Sequence, residues 1–228
     1  MRLQKHIADN TEYSRRKAEE LILDGKVCVN DKIAVIGQNI ENSDTVAIDG
    51  NIIAPRKRKL YIAMNKPKGY ITTTNDEQNR QTVIDLIKNE IPDKIYPVGR
   101  LDKDTTGLLF LTNDGDFANK VINSAKKTSK EYVAITNKEV TKQQLKELEQ
   151  GIILDGIKLK PCKIKRQDKC TYYITIYEGK NRQIRKMFEQ MGVKVIELTR
   201  IKIGKIALGN IPLGRYRKLS MAEIKLFD

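Results

Sequence analysis

The sequence holds a single histidine, His6, and this scarcity excludes several kinds of catalysis. Ser-His-Asp and Cys-His mechanisms need an imidazole beside the nucleophile, and many metal sites need more than one. The three cysteines, Cys28, Cys162 and Cys170, are odd in number and match no zinc or redox spacing, so we expect reduced structural thiols. Any chemistry must therefore depend on Asp, Glu, Tyr, Lys or Arg side chains.

Long apolar runs are also missing. No stretch approaches the roughly 20 apolar residues that a membrane span needs. The N-terminus, Met1–His6, lacks the apolar segment of a signal peptide, so we expect a cytoplasmic protein. With 228 residues and 39% hydrophobic content, the chain can form one medium domain, or a small domain joined to a larger one.

Negative charge is scarce over most of the chain. The formal net charge is +14, which favours a polyanionic partner such as nucleic acid. Residues 1–50 carry 7 Lys/Arg and 9 Asp/Glu, whereas residues 51–228 carry 36 and 20, a net of +16. The larger part therefore supplies the long-range attraction. An anionic membrane is the rival partner, but the sequence has no basic amphipathic helix of the required kind, so we expect no membrane binding.

Apolar periodicity and turn residues divide the chain into two domains of α+β class with a mixed, mostly antiparallel sheet. We predict a small domain at 1–54, a basic linker at 55–59 and a larger domain at 60–228. In the small domain we expect a helix at 3–9, a second helix capped by Ser14, and strands at 27–29 and 45–48. In the larger domain we expect strands at 60–64, from about 70, at 108–112 and at 172–177. Helices are predicted there at 82–87, 117–122 and 141–150, and a fourth, capped by Asn181, runs to about Met191.

The segment 99–107 is one of the candidate sites. Two carboxylates, Asp102 and Asp104, lie with Arg100 and Lys103 between glycines, in a loop that connects two strands. Loops held by rigid strands often carry catalytic groups. On spacing alone, a charged turn with internal ion pairs explains this segment better.

The helix that follows Glu178 is a second candidate. Ile184, Met187, Phe188 and Met191 form one apolar face at helical spacing. Cations crowd the N-terminal half of this helix, where the helix dipole disfavours them, so we expect a phosphate, a buried carboxylate, or both to compensate. A merely soluble helix face is the alternative. These cations are Lys180, Arg182, Arg185 and Lys186.

Two further features stand out less on their own. Tyr132, in the predicted strand at 130–135, is more often a core residue than a catalytic one. Arg15, Arg16 and Lys17, called here the basic cluster, are candidates for phosphate contact at the start of the second helix, with Arg2 and Lys5 nearby.

Together these residues resemble one family, the RsuA/RluB/RluE/RluF-type pseudouridine synthases of ribosomal RNA. The stretch Gly99–Leu109 is similar to the signature loop of that family. Three other stretches resemble its remaining motifs in the same order: 65–69 (Asn-Lys-Pro-Lys-Gly), 130–132 (Lys-Glu-Tyr) and 179–187 (Gly-Lys-Asn-Arg-Gln-Ile-Arg-Lys-Met). Residues 2–50 resemble the small S-four-type (alpha-L) RNA-binding domain that precedes the catalytic domain in this family.

The resemblance implies roles for individual residues. Asp102 would attack or deprotonate the ribose of a flipped-out uridine, Tyr132 would stack on the uracil, and Arg185 would pair with Asp102, with Arg182 as the alternative. Arg100 and Asp104 would brace the loop. The substrate-binding set would be Arg100, Asp104, Lys180, Arg182 and Lys186. The RNA-binding set would be Arg2, Lys5, Arg15, Arg16 and Lys17.

The resemblance also implies a partner and leaves alternatives open. Stretches 162–165 and 211–214 look closest to the RluF-like branch, which modifies 23S rRNA, and a 16S enzyme of the RsuA branch is the alternative. We expect a monomer that needs no cofactor or metal and acts on naked ribosomal RNA or on a ribosomal assembly intermediate. A non-catalytic RNA-binding assembly factor, and more remotely a hydrolase using Asp102 and Asp104, are competing interpretations.

Overall fold

The computed structural model describes residues 1–55, 58–123 and 128–228, and it divides into two compact units, Met1–Lys59 and Leu60–Asp228. Arg56 and Lys57, in the predicted basic linker, lie outside the described residues. In the described ranges no helix is long and apolar enough to cross a membrane. The three cysteines are free thiols, of which Cys162 is buried.

The first unit consists of two helices packed on a small antiparallel sheet. Its elements are α1 (Leu3–Asn10), α2 (Arg15–Leu23), β1 (Val27–Val29), β2 (Lys32–Ile33), β3 (Val46–Ile48) and β4 (Asn51–Ile52). The strand order is β2-β1-β3-β4. Ser14 caps α2, because its side chain accepts a hydrogen bond from the Lys17 amide at 3.1 Å. Apolar residues of both helices, including Leu3, Ile7 and Leu21, are buried in one core with the strands.

The second unit is built around a nine-stranded sheet. The strands of this unit, in the sheet and in a separate hairpin, are β5 (Tyr61–Lys66), β6 (Tyr96–Val98), β7 (Thr106–Thr112), β8 (Lys130–Thr136), β9 (Ile153–Leu154), β10 (Ile157–Lys158), β11 (Lys163–Arg166), β12 (Thr171–Ile176), β13 (Val195–Ile203), β14 (Ile206–Ala207) and β15 (Tyr216–Lys218). Its helices are α3 (Gly115–Asn123), α4 (Lys142–Gln150), α5 (Gln183–Gln190), α6 (Met221–Ile224) and a 3₁₀ turn at Lys225–Phe227.

The sheet is mixed and mostly antiparallel, as the sequence predicts. Its order is β11-β12-β8-β13-β7-β5-β15, with β6 paired to β7 and β14 paired to β13; β9 and β10 form a separate hairpin. Within the described part of the chain, β7 and β13 are the parallel neighbours in this sheet. Both faces of the sheet are buried, because β7 directs Leu109 and Leu111 to one core and Leu108 and Phe110 to another. Helix α5 covers the first of these cores with Ile184, Met187 and Phe188, as its periodicity predicts.

Two predicted elements between residues 70 and 91 are wrong, and the structure describes this whole region. The strand expected from Tyr70 is reduced to one isolated bridge between Ile71 and Thr82. The helix expected at 82–87 is a series of turns, in which the Asp85 carboxylate accepts hydrogen bonds from the Thr82 amide and hydroxyl. These side-chain bonds compete with helical ones, and β-branched residues are weak helix formers.

Candidate active site

The loop between β6 and β7 is anchored by Lys66, at the end of β5, and by Thr72 in the segment that follows. Lys66 is fully buried, and its ammonium donates hydrogen bonds to the carbonyl oxygens of Asp102 (3.0 Å), Thr105 (2.9 Å) and Pro67 (3.1 Å). Thr72 adds a bond from its hydroxyl to the Leu101 carbonyl at 2.8 Å. The loop backbone is therefore fixed at several points, so a side chain on it keeps a defined position.

Burial and the neighbouring carboxylates act in opposite directions on the pKa of Lys66. Desolvation lowers its pKa to about 8, although the carboxylates of Asp104 and Asp102 oppose this shift, while Arg200 adds to it. Three carbonyl acceptors match the three donors of an ammonium group. The protonated form is therefore the one that holds the loop.

Asp104 is the hub of the charged network. Arg182 donates to both of its carboxylate oxygens, at 3.0 and 3.2 Å, and the Nε of Arg185 lies 3.2 Å from the same carboxylate. Desolvation raises the pKa of Asp104, but the hydrogen bonds from Arg182 and the charges of Arg185 and Arg182 outweigh it and lower that pKa below its ordinary value. Asp104 therefore braces the loop as an anion between two guanidinium groups.

The expected ion pair between Arg185 and Asp102 is wrong. Arg185 is committed elsewhere, because its guanidinium donates to the carbonyl oxygens of Val195 (2.8 Å) and Asp104 (3.0 Å) and faces the Asp104 carboxylate. Among the described residues, the nearest cation to the Asp102 carboxylate is Arg182, with Nη1 at 4.0 Å. Asp102 is one-third exposed, so its carboxylate remains free to meet a substrate.

The position of Arg182 depends on an unusual backbone conformation. Arg182 precedes α5 with φ 49° and ψ 31°, in the left-handed region, so the prediction that Asn181 caps this helix is wrong. Instead, Gln183 accepts a hydrogen bond from the Lys180 amide at 3.0 Å and donates to Glu178 at 3.2 Å. A non-glycine residue in this region is strained, and such strain is typical of functional sites.

Three of the four cations at the start of α5 are compensated by carboxylates, as predicted, but these carboxylates are partly or largely exposed rather than buried, and Lys180 forms no ion pair among the described residues. Arg182 and Arg185 meet Asp104, while Lys186 pairs with Asp155 at 2.5 Å. Among the predicted substrate-binding residues, Asp104 and Lys186 are thus held in ion pairs and do not line the cleft described next.

A cleft of about 460 Å³ opens beside the loop. Its wall contains Asp102, Tyr132 and Arg182. Two exposed cations, Arg100 and Lys180, also line it. Apolar residues complete it: Val98, Leu101, Ile184 and Leu198. A concave, partly apolar site with a few polar groups and this volume suits a small organic group such as one nucleoside. Within the described residues no cluster of His, Cys, Asp or Glu could hold a metal ion.

Arg200 and Lys130 also line the cleft, and sequence reasoning missed both as site residues. Arg200 is 2% exposed in the central strand β13. The available signal was the spacing of Arg200 two residues after the buried Leu198, which places both on one face of the strand, and buried arginine is rare unless it is paired. Lys66 belonged to a recognised motif, but its role in holding the loop could not be read from the sequence.

In the first unit, the basic cluster is exposed at the start of α2, and Lys17 forms an exposed ion pair with Glu20 at 2.8 Å. Arg2 is exposed and donates to the Gly37 carbonyl at 2.6 Å, while Lys5 is half-buried. The basic cluster therefore offers three cations to solvent on one short segment.

Comparison with known proteins agrees with this geometry. Residues 60–190 match the model of the RNA pseudouridylate synthase family, and residues 1–46 match the S4 domain. The chain is 42% identical over 231 residues to ribosomal large subunit pseudouridine synthase B of Bacillus subtilis strain 168, covering 98% of this chain and 94% of that protein. It is 37% identical over 226 residues to the dual-specificity RNA pseudouridine synthase RluF of Escherichia coli strain K12, covering 98% and 77%.

A solved structure described as a pseudouridylate synthase superposes with a TM-score of 0.73 at 29% identity, over the full length of both chains. The fold and the cleft thus define an RNA-modifying isomerase with an S4 domain at its N-terminus. This chain belongs to the RNA pseudouridylate synthase family.

Proposed function

We propose that this chain converts uridine to pseudouridine in the 23S RNA of the large ribosomal subunit, with Asp102 as the catalytic carboxylate. The supporting observation is the Asp102 carboxylate, one-third exposed and 4.0 Å from Arg182, in the same cleft as Tyr132. The preference for large-subunit RNA rests on the similarity to synthase B of Bacillus subtilis, which is named for that subunit.

The reaction rearranges one nucleoside without adding or removing atoms. Asp102 attacks C1′ or removes the proton from C2′, and the C1′–N1 bond breaks with its electron pair on the uracil. The released base turns over, and C5 bonds to C1′ as the C1′–Asp102 bond breaks or, on the other route, as the proton returns to C2′. The C5 proton is then lost and N1 gains one. The target base must first leave its stack at a cost of a few kcal/mol, and stacking on Tyr132 returns about 1–3 kcal/mol.

The arginines and the Lys66 anchor contribute positioning. Arg182 orients the Asp102 carboxylate, and Asp104 holds Arg182. Arg185 holds the loop through Asp104, and Lys66 fixes the loop backbone. Holding a reactive group against its target supplies a proximity effect of several kcal/mol, about 7–11 in the best cases. None of these groups needs to change its covalent state.

RNA binding is divided between the two parts of the chain. We propose that Arg100 and Lys180 contact phosphates beside the cleft, and that residues 1–54 bind rRNA through the basic cluster with Arg2 and Lys5, joined by the linker at 55–59. The protein is expected to act as a cytoplasmic monomer, on naked rRNA or an assembly intermediate. Phosphate contacts make binding fall steeply with salt.

The test is to incubate the full chain with transcripts of large-subunit and small-subunit rRNA and to map pseudouridine in each. We expect modification in the large-subunit transcript, and none with the Asp102→Asn variant. Modification confined to the small-subunit transcript would replace the target by 16S rRNA. Tight binding to both without any product would favour a non-catalytic assembly factor.

A further inference from the structure

Two cations in the cleft form no ion pair with any carboxylate that the structure describes. The Nε of Arg200 donates to the Leu108 carbonyl at 2.7 Å, but its Nη2 is fully buried and has no hydrogen-bond partner among the described residues. Lys130 is half-buried in the same cleft, and no carboxylate of the described chain pairs with it. A buried donor without a partner costs about 1–3 kcal/mol, and more when the group is charged.

The strand register places Arg200 beside the ring of Tyr132. In the sheet, Arg200 of β13 is directly opposite Tyr132 of β8 on one side and Gly107 of β7 on the other. Directly opposite residues direct their side chains to the same face, with Cβ atoms about 4.5–5.5 Å apart. Arg200 and Tyr132 both line the cleft. The Arg200 guanidinium therefore lies on the same face of the sheet as the Tyr132 ring on which a base would stack.

Lys130 strengthens the positive potential at this end of the cleft. Desolvation lowers the pKa of Lys130, and the charge of Arg200 lowers it further. Two like charges kept together in a partly buried site are unfavourable in the free protein. A ligand that carries or develops negative charge removes that penalty.

We propose that Arg200, assisted by Lys130, hydrogen-bonds a carbonyl oxygen of the target uracil and stabilises the negative charge that the base acquires when the C1′–N1 bond breaks. This inference rests on the proposed function, which makes uracil the leaving group. The electron pair left on N1 is delocalised onto the O2 and O4 oxygens, which are the acceptors for these donors. No further covalent step is required.

A phosphate is the other oxygen-bearing group of the substrate. Phosphates remain on the RNA backbone, which follows the protein surface, whereas Arg200 is 2% exposed and adjoins the base-stacking ring. Exposed cations of the cleft, Arg100 and Lys180, are suited to the phosphates. The base edge is therefore the favoured ligand of Arg200.

The test compares Arg200→Gln and Lys130→Gln with the wild-type full chain on a large-subunit rRNA transcript. Removing one donor to a developing charge lowers a catalytic rate by about 10²–10³. We expect a single-turnover loss of about that size for R200Q and about tenfold for K130Q, with the Kd for rRNA and its salt dependence unchanged. Lys163→Gln, an exposed lysine of β11 outside the cleft, is the matched control and should keep the wild-type rate.

Stability measurements separate this role from a structural one. Because Lys130 is half-buried and repelled by Arg200, K130Q should unfold at the wild-type temperature or higher while reacting more slowly. If R200Q does not fold, K130Q decides, and a wild-type rate for K130Q then overturns the proposal. Weaker rRNA binding with a salt slope reduced by about one, at an unchanged saturating rate, would assign these cations to a phosphate and also overturn it. A wild-type chain that forms no pseudouridine refutes the proposed function instead.

Discussion

The two carboxylates of the loop should respond in opposite ways to the same substitution. In Asp102→Asn, we expect isomerisation to stop while folding and rRNA binding persist. The Asp102 carboxylate is 33% exposed, and its nearest cation lies 4.0 Å away. An exposed pair at this distance contributes about 0.5 kcal/mol or less, so the free energy of unfolding should hardly change. Loss of the reacting group should lower the rate by about 10⁴ or more.

Asp104→Asn should instead lower stability and lower the rate only in part. Its carboxylate meets two guanidiniums, and the Arg185 side chain is 11% exposed. Removing one partner of a buried pair costs about 3–5 kcal/mol, but Asp104 is itself 36% exposed and Arg185 keeps two carbonyl acceptors, so we expect about 1–2 kcal/mol. Misplacement of Arg182 and Asp102 should slow the reaction by about 10–100-fold.

The assay measures both quantities on the same preparations. Urea-induced unfolding followed by far-UV circular dichroism gives the stability, and single-turnover pseudouridine formation gives the rate. The reasoning would be refuted if Asp102→Asn retained more than about one-hundredth of the wild-type rate. It would also be refuted if Asp104→Asn abolished activity without loss of stability, because the two carboxylates would then have exchanged roles.

Three further predictions concern other parts of the chain. Gly107→Ala should destabilise the chain by about 3 kcal/mol or more, because at φ +103° a Cβ would lie 2.2 Å from the Arg200 carbonyl oxygen; a wild-type melting temperature would contradict this. The rate should fall reversibly as the pH rises through about 8, the pKa to which burial lowers Lys66, and a rate flat to pH 10 would exclude that anchor. Between this pKa and the ordinary lysine value of about 10.4, the unfolded chain binds more protons than the folded one, so the free energy of unfolding rises with pH there. Titration of Lys66 therefore cannot lower the rate by unfolding the chain. Reversing the basic cluster to glutamates should weaken rRNA binding at least tenfold at an unchanged melting temperature, and unaltered binding would remove the cluster from the RNA interface.

Local pattern was enough to predict much of this fold. The apolar face of α5 and the buried strand β7 were predictable because each depends on the apolar residues within one short stretch of sequence. Ser14 was recognisable as a cap for the same reason, since its partner is three residues away. The mixed sheet and its α+β class followed from the order of such elements.

Partners chosen over long distances could not be predicted. Arg185 contacts Asp104 rather than Asp102, and these carboxylates lie two residues apart on a loop about 80 residues earlier in the chain. The motif supplied the right residue types, but the choice depends on where the Val195 carbonyl and the left-handed turn at Arg182 hold the guanidiniums. The short segment at 82–87 was misassigned because one Asp85 side chain competes with helical hydrogen bonds.

The central position of β13 has a consequence for how the molecule acquires its activity. This strand separates β8 from β7, although it is synthesised well after both, and its Leu198 and Thr199 meet Thr106 across more than 90 residues of chain. Until residue 195 has emerged, neither β8 nor the Thr106–Gly107 end of β7 has the partner that β13 provides in the complete sheet. Such late, non-local closure slows folding. A nascent or truncated chain that ends before β13 therefore cannot modify RNA.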